Sequence, residues 1–293
     1  MFLAMKMKLA VAVTALAAPI ALTVAPAPSV HRPAADSLFV EIAAAKFEYR
    51  VAGDFSLEGK PAGAPLRDMR LQSRLKIMNR QVTAGEYAAC AEEGACPSIP
   101  HKAGMTDRPM VGVSWRDATA YAEWMTRKTG VLHRLPTDEE WVFAAGEKAP
   151  DEALPLVDPA DPAQAWISRY EAEANRAQPF TVDPQPIGTF GSNARGVQDV
   201  GGNVWEWTNT CFLRFTLDPT GAARVVNTNC GVRVVQGAHR TYMTDFIRDP
   251  RTGGCAAGVP PANLGFRLVV EDEKLPMVNR IVERAVAKLG SAF

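Results

Sequence analysis

The sequence lacks an excess of charge of either sign. Its 293 residues carry 32 Lys and Arg against 32 Asp and Glu, so the formal net charge at pH 7 is zero. A nucleic-acid-binding domain usually carries a strongly positive face or a block of basic residues. This sequence has neither a net positive charge nor a block of Lys and Arg. Nucleic acid is therefore not expected among the partners of this protein.

Common catalytic and metal-binding motifs are also missing. The sequence contains no Cys-x-x-Cys, no His-Glu-x-x-His, no Gly-x-Ser-x-Gly and no phosphate-binding Gly-x-x-x-x-Gly-Lys-Ser/Thr. Its four histidines lie far apart along the chain, and that spacing gives no support to a histidine-based metal site. Generic motifs therefore assign no reaction to the chain.

Hydrophobic runs are scarce after the N-terminus, where the longest one lies. Lys6 and Lys8 precede an uncharged apolar run that is interrupted by Pro19 and is shorter than the roughly 20 residues of a membrane span. Small residues follow it, so we expect residues 1–29 to be a cleaved secretory signal peptide, with an uncleaved anchor as the alternative. The mature protein is predicted to be periplasmic or secreted, without membrane attachment, in a compartment where disulfides persist.

What the sequence does contain is typical of a globular, loop-rich protein, with 47% hydrophobic residues, 22 Gly and 22 Pro. Capping boxes, in which a hydroxyl residue precedes a carboxylate by three positions, predict three helix starts. They are Thr83 with Glu86, Ser114 with Asp117, and Thr137 with Glu140. The second of these helices is expected to end at Gly130. One domain over residues 38–271 and an amphipathic helix over residues 275–290 complete the predicted organisation.

Five ordered segments together resemble a known family. They are residues 82–87, 109–121, 134–141, 196–207 and 263–267, and they include Gly-Asn-Val-Trp-Glu-Trp at 202–207 and Asn-Leu-Gly-Phe-Arg at 263–267. The set is similar to the formylglycine-generating-enzyme (sulfatase-modifying factor) domain over roughly residues 40–270. The resemblance implies a single α+β domain with a C-type-lectin-like core, much irregular structure and bound calcium.

The resemblance also implies the ligands of that calcium. Asp199, Gly202, Val204 and Glu206 match family positions that bind the ion. Calcium prefers a mixture of carboxylate and backbone oxygens, and a glycine-rich turn can direct carbonyl groups inward. The alternative is that this segment only braces a turn against the core.

Copper is not expected, because the family's copper site requires two cysteines that this chain does not have. In the family those cysteines follow a Gly-Gly-Ser turn and bind copper(I) as thiolates. The corresponding stretch begins at Gly237, places His239 on the serine, and has Tyr242 and Ile247 where the two cysteines would be. Formylglycine generation by the family's copper mechanism is therefore not expected.

The same stretch is rich in cationic and polar residues, and we take five of them as candidates for a functional cleft. They are His239, Arg240, Tyr242, Asp245 and Arg248. Guanidinium groups beside aromatic rings can bind a carboxylate, a phosphate or an acidic peptide, and His239 could exchange protons. The alternative is an internal Arg–Asp network that stabilises an irregular loop.

Five cysteines allow at most two internal disulfides. Cys90 and Cys96 bracket a short loop after the first helix and are expected to form one of them. For the second we favour Cys230–Cys255 over Cys211–Cys230, because Cys255 precedes Ala-Ala as a structural disulfide cysteine does in some relatives. The remaining thiol is then either reactive or buried and inert.

Three functions remain open at this stage. The stretch from Val234 to Asp249 resembles the NirV type of relative, which accompanies copper nitrite reductase, and this favours an accessory or maturation factor that binds a periplasmic polypeptide or a small acidic ligand. The second is an oxidoreductase of the periplasmic PvdO branch, which lacks the copper cysteines. The third is a calcium-dependent, lectin-like binding module, which the core fold alone suggests.

Overall fold

The computed structural model describes residues 38–100, 104–150, 167, 183–250 and 263–271. The predicted signal peptide, the predicted helix over residues 275–290 and Cys255 lie outside these residues. Within the described part of the chain, no helix has both the length and the hydropathy needed to cross a membrane.

Six short strands come first in the described chain, the helices follow with one strand among them, and five further strands come last. The strands are β1 (Phe39–Ile42), β2 (Lys46–Arg50), β3 (Asp54–Leu57), β4 (Lys60–Ala62), β5 (Leu66–Arg70), β6 (Leu75–Met78), β7 (Leu132–Arg134), β8 (Trp205–Leu217), β9 (Ala223–Gln236), β10 (Thr241–Thr244), β11 (Leu264–Gly265) and β12 (Val269–Glu271). The helices are α1 (Ala84–Glu92), α2 (Trp115–Thr129) and α3 (Asp138–Ala145), and a 3₁₀ turn (Gly146–Lys148) follows α3.

Among the described residues the strands form one mixed sheet, which contains the long β8–β9 hairpin, and two antiparallel sheets. In the largest sheet the order is β10-β9-β8-β3-β4, and β11 pairs in parallel beside β8. A four-stranded sheet has the order β1-β6-β12-β7, and β2 pairs with β5. Because β11 pairs with β8, Leu264 lies opposite Trp205 and Gly265 lies opposite Glu206, so the two family-like segments meet in the fold.

The helices begin where the capping boxes predict. At Thr83, Ser114 and Thr137 the side-chain oxygen accepts a hydrogen bond from the backbone N–H three residues on, and the carboxylate there accepts from the backbone of the cap residue. Helix α2 ends at Gly130, which adopts a left-handed φ of 74° that favours glycine. All three predicted helix starts and the predicted end of α2 are thus confirmed.

The core contains aromatic residues from these helices and from the segment after β11. The rings of Tyr87, Tyr121 and Phe266 contact one another. Their centroids lie 6.0 Å apart for Tyr87 and Tyr121, 5.4 Å for Tyr121 and Phe266, and 6.5 Å for Tyr87 and Phe266. Trp141 of α3 is fully buried in a second cluster together with Ile77 of β6. Burial of rings of this size supplies much of the driving force for folding, and it fixes the helices against the β8 end that carries Glu206.

Candidate functional site

Glu206, near the start of β8, is the centre of a buried polar cluster. Its side chain and that of Arg267 are both fully buried, with Nε of Arg267 2.5 Å from Oε2 and Nη2 2.6 Å from Oε1. Oε2 also accepts from Nε1 of Trp141 at 2.9 Å, and Oε1 accepts from Nε2 of Gln81 at 2.7 Å. Each carboxylate oxygen therefore accepts two hydrogen bonds, which uses its acceptor capacity in full.

Asp199, the first residue of the predicted calcium segment, braces a neighbouring loop. It adopts a left-handed φ of 54° and is fully buried. Its Oδ2 accepts from the backbone N–H of Gly188 at 2.6 Å, and its Oδ1 accepts from that of Phe190 at 2.8 Å. Gly202 is needed in this turn because a Cβ there would lie 2.9 Å from the ring of Phe190.

The carboxylate of Glu206 offers no free oxygen to a cation in the arrangement seen. A calcium ligand must present a free lone pair, whereas both oxygens of Glu206 face N–H donors, and two of those donors belong to the cationic Arg267. In the described part of the chain, no three or more His, Cys, Asp or Glu residues group closely enough to hold a metal ion. Asp199 thus braces a turn and Glu206 forms a buried ion pair in this structure. The calcium set of Asp199, Gly202, Val204 and Glu206 stays a prediction.

The candidate residue His239 is internal rather than directed at solvent. Its side chain is buried, and its ring centroid lies 5.2 Å from that of Trp205 in an edge-to-face contact. Its backbone carbonyl accepts from Nε1 of Trp205 at 3.1 Å. Two residues earlier, a Cβ on Gly237 would lie 2.6 Å from the same indole ring, so this close approach requires glycine.

Arg240 is also part of an internal network, centred on Asp138 at the start of α3. Asp138 is fully buried, and its Oδ2 lies 3.1 Å from Nη2 of Arg240. The same oxygen accepts from the hydroxyl of Tyr49 at 2.6 Å, and Oδ1 accepts from Nε2 of Gln236 at 2.6 Å. Burial, reinforced by the adjacent Asp138, holds the pKa of Tyr49 well above its usual range. The network is a neutralised core element that joins α3, β2 and β9.

Tyr242 of β10, which the sequence comparison places at the first copper-cysteine position, is held by contacts on two sides. Its hydroxyl accepts from the backbone N–H of Gly53 at 2.8 Å, and its ring meets that of Phe212 edge to face at 5.0 Å. Burial raises the pKa of the Tyr242 hydroxyl to about 12. This side chain therefore ties β10 to the turn before β3, and it stays protonated near neutral pH.

Asp245 and Arg248 lie in the loop after β10, which crosses the first turn of α2. Asp245 accepts from Nε and Nη2 of Arg116 at 3.0 and 3.3 Å. Arg248 donates from Nε and Nη2 to Asp117 at 2.7 and 2.8 Å. Burial pushes the pKa of Asp117 up, but the hydrogen bonds from Arg248 and Ser114 outweigh it and hold the pKa below its ordinary value.

The outer side of this loop is exposed, in contrast to the residues before it. Phe246 is 61% exposed, and the side chains of Arg116 and Arg248 are 66% and 50% exposed. We call these three residues the rim surface. The five predicted cleft residues thus divide into an internal set, of His239, Arg240 and Tyr242, and a loop set of Asp245 and Arg248.

The disulfides confirm one sequence prediction and correct another. Cys90 pairs with Cys96, as expected. Cys230 pairs with Cys211 rather than with Cys255, so the favoured Cys230–Cys255 bridge was wrong. The reason is the antiparallel pairing of β8 with β9, which brings the Cα atoms of Cys211 and Cys230 to 4.5 Å.

Several residues of this region were not identified from the sequence as site residues. Arg267 lies in the family-like Leu-Gly-Phe-Arg segment, which marked it as part of the resemblance but not as the partner of Glu206. Asp117 was identified only as a helix cap, although it also binds Arg248. Arg233, whose guanidinium carbon lies 3.9 Å from the ring centroid of Trp115, gave no sequence signal at all.

One mixed and two antiparallel sheets, three capped helices and the buried Glu206–Arg267 pair define an α+β domain of the formylglycine-generating-enzyme fold type. The chain belongs to the sulfatase-modifying factor family, since the family described as "Sulfatase-modifying factor enzyme 1-like domain" matches residues 29–272. Both the predicted family and the predicted fold class are confirmed.

Known relatives match the chain over part of their length. The formylglycine-generating enzyme of Streptomyces coelicolor is 31% identical over 193 residues, which are 60% of this chain and 55% of that protein. The inactive C-alpha-formylglycine-generating enzyme 2 of Mus musculus is 33% identical over 165 residues, or 54% of this chain and 48% of that one. The chain thus covers only about half of each of these proteins.

A solved structure shares the fold. PvdO from Pseudomonas aeruginosa superposes with a TM-score of 0.50 at 21% identity, covering 80% of this chain and 94% of that one. At this identity the likeness establishes the fold and leaves activity open.

Proposed function

We propose that this chain is an exported accessory or maturation factor that binds a polypeptide of a periplasmic enzyme of the copper nitrite reductase type. In this proposal the rim surface of Arg116, Phe246 and Arg248 is the contact. The single observation that carries the proposal is an exposed aromatic ring flanked by two exposed guanidinium groups, on a loop whose position ion pairs fix.

The chemistry available on the rim surface favours an acidic segment. Arg116 and Arg248 each donate to an aspartate through Nε and Nη2, which leaves Nη1 of both arginines for a carboxylate of a partner. Guanidinium groups suit carboxylates because their donors match them in geometry and charge. Phenylalanine and arginine are both enriched in protein–protein interfaces relative to the rest of the surface.

Residues at the family's catalytic positions support a role other than formylglycine formation. Tyr242 is tied to the backbone of Gly53, and Ile247 packs against the core cluster. Neither side chain supplies a thiolate, which is the ligand that copper(I) requires. One of the relatives, the inactive C-alpha-formylglycine-generating enzyme 2 of Mus musculus, is itself named inactive.

Export is part of the same proposal. The charged and apolar pattern of residues 1–29 supports it, and so do two disulfides within the described residues, because such bonds persist in oxidising compartments. The PvdO-like oxidoreductase and the lectin-like module stay predictions.

The test is to express a copper nitrite reductase with and without this chain, and to measure the yield, copper content and activity of the reductase. We expect Phe246→Ala, alone or with Arg248→Gln, to weaken co-purification about tenfold, as the loss of about 1.4 kcal/mol would. Leu66→Ala is the matched control, because Leu66 is an exposed apolar residue of the two-stranded sheet. Equal yield and activity of the reductase without the chain would refute the proposal.

A further inference from the structure

The two disulfides differ in how far solvent reaches them. Cys90 and Cys96 are buried, with exposed fractions of 0% and 6%. Cys230 is exposed on β9, and Cys211 is half-buried on β8. A thiolate from outside can therefore approach Cys230 directly, whereas the first disulfide is shielded by the core.

A guanidinium group contacts the inner sulfur of the exposed disulfide. Nη1 of Arg233 lies 3.3 Å from Sγ of Cys211, and it also donates to the carbonyl of Asn209 at 2.9 Å. The guanidinium carbon lies 3.9 Å from the ring centroid of Trp115. The cation is thus held in place beside the sulfur by a hydrogen bond on one side and an aromatic face on another.

Arg233 forms no ion pair within the described residues, and Asp245 acts on it only through a longer-range electrostatic interaction. Three other arginines of this region, Arg116, Arg240 and Arg248, each form an ion pair with an aspartate. Arg233 has no such pair among the described residues, and its buried Nε has no hydrogen-bond partner there. Its positive charge is therefore available to stabilise an anion that forms on Cys211.

We propose that Cys211–Cys230 is an exchangeable disulfide that oxidises a dithiol of a partner polypeptide. Cys230 is the sulfur attacked, and Cys211 is the leaving thiolate, stabilised by Arg233. This activity goes beyond the accessory role proposed above and does not depend on it.

The exchange proceeds in two balanced steps. A thiolate of the partner attacks Sγ of Cys230, a new S–S bond forms, the Cys211–Cys230 bond breaks, and Cys211 leaves as a thiolate. The second thiol of the partner then loses its proton and attacks the mixed disulfide, which releases the thiolate of Cys230. The partner dithiol is oxidised by two electrons, and this chain takes up those electrons and the two protons as the thiols of Cys211 and Cys230.

The position of Arg233 matters because the leaving group controls the rate. Exchange is faster when the departing thiol has a lower pKa, and a neighbouring guanidinium lowers the pKa of a thiol. A hydrogen bond to an ionised sulfur is also stronger than one to a neutral sulfur. The contact seen in the oxidised state is therefore strengthened as the S–S bond breaks.

The experiment uses the full mature chain and reduced glutathione as the probe. With five cysteines and two disulfides, one thiol remains, so free thiol is first blocked with iodoacetamide while both bridges are intact. Glutathione is then added, the reaction is quenched with acid at intervals, and peptide mass spectrometry quantifies each bridge. We expect Cys211–Cys230 to open at least about tenfold faster than Cys90–Cys96, with glutathione attached to Cys230.

Arg233→Met tests the guanidinium, because methionine keeps an apolar stem against Trp115 while removing the charge. We expect it to slow the opening of Cys211–Cys230 several-fold and to raise the pH at which Cys211 of the reduced chain becomes alkylated. Arg224→Met is the matched control, since Arg224 is an exposed arginine of the same strand and its loss changes the net charge equally. The buried Cys90–Cys96 bridge reports unfolding, because loss of the fold would speed the opening of both bridges together.

Three results would overturn the proposal. They are equal opening rates for the two bridges, attachment of glutathione to Cys211, and equal exchange rates in Arg233→Met and Arg224→Met. None of these measurements involves a nitrite reductase, so failure here is distinguishable from failure of the accessory role.

Discussion

Arg267 and Glu206 meet side on, with two nitrogens of the guanidinium facing two oxygens of the carboxylate and both side chains fully buried. The two residues belong to separate family-like segments, which the pairing of β11 with β8 brings together. Trp141 and Gln81 complete the hydrogen bonding of the carboxylate. The pair thus fixes the start of β8, from which the hairpin with β9 extends.

Removal of one member of this pair should be costly. A buried charge that loses its partner typically costs about 3–5 kcal/mol, so we expect Arg267→Met to lower the free energy of unfolding by that amount. Urea unfolding followed by tryptophan fluorescence measures the loss. Arg74→Met is the control, because Arg74 forms an exposed pair with Glu41, and such pairs contribute about 1 kcal/mol or less.

A double variant separates the pair from its surroundings. Arg267→Met combined with Glu206→Gln should cost less than the sum of the two single changes, because the second change removes the charge that the first left unpaired. Additive costs in the same urea experiment would show that the ion pair does not dominate this cluster.

Calcium should have little effect on the stability of the described domain. Since the oxygens of Glu206 are engaged by Arg267, Trp141 and Gln81, millimolar calcium should leave the thermal midpoint unchanged, and a chelator should do the same. A ligand that binds only the folded state would raise the thermal midpoint. A calcium-dependent rise that Asp199→Asn abolishes would support the predicted calcium site, and differential scanning calorimetry of both proteins measures it.

The sequence predicted the features that depend on neighbours along the chain. The capping boxes at Thr83, Ser114 and Thr137 require only residues three positions apart, and the end of α2 requires only Gly130. The family resemblance supplied the fold class, because its motifs extend over most of the domain. Local chemistry and motif order were thus sufficient for these parts.

Partners that are distant in sequence could not be predicted in the same way. Asp138 and Arg240 are both visible in the sequence, but their ion pair depends on how α3 packs against the end of β9. The Cys211–Cys230 bridge depends on the register of β8 with β9, which shifts at irregularities between Trp207 and Phe212. Such shifts change which residues face each other. The sequence does not reveal this register, so it gave no reason to prefer Cys211 over Cys255 as the partner of Cys230.

Close packing at Gly265 gives a further prediction. A Cβ at this position would lie 2.7 Å from the backbone carbonyl oxygen of Met110, which is not a flexible side-chain end that could move away. We expect Gly265→Ala to lower the free energy of unfolding by about 1–3 kcal/mol through overpacking. Gly231→Ala is the control, because its Cβ would meet only the side chain of Asn229, at 3.3 Å. Equal urea midpoints for the two variants would contradict this reading of the contact.

Glu140 should contribute stability that depends on pH. Burial raises the pKa of Glu140. The hydrogen bonds and charge of Arg134, together with the hydrogen bond from the backbone N–H of Thr137, outweigh burial and hold the pKa below its ordinary value. A carboxylate whose folded-state pKa is depressed stabilises the protein above its unfolded-state pKa, about 4.3, and this contribution is lost as pH falls through the folded-state value. We therefore expect Glu140→Gln to cost about 2 kcal/mol at pH 7 and progressively less as the pH is lowered below about 4, measured by urea unfolding. Glu123→Gln is the control: it removes an exposed carboxylate 3.9 Å from Arg127 and should cost little at either pH. If the cost of Glu140→Gln stays constant with pH, the charge of the Glu140 carboxylate does not contribute this stability.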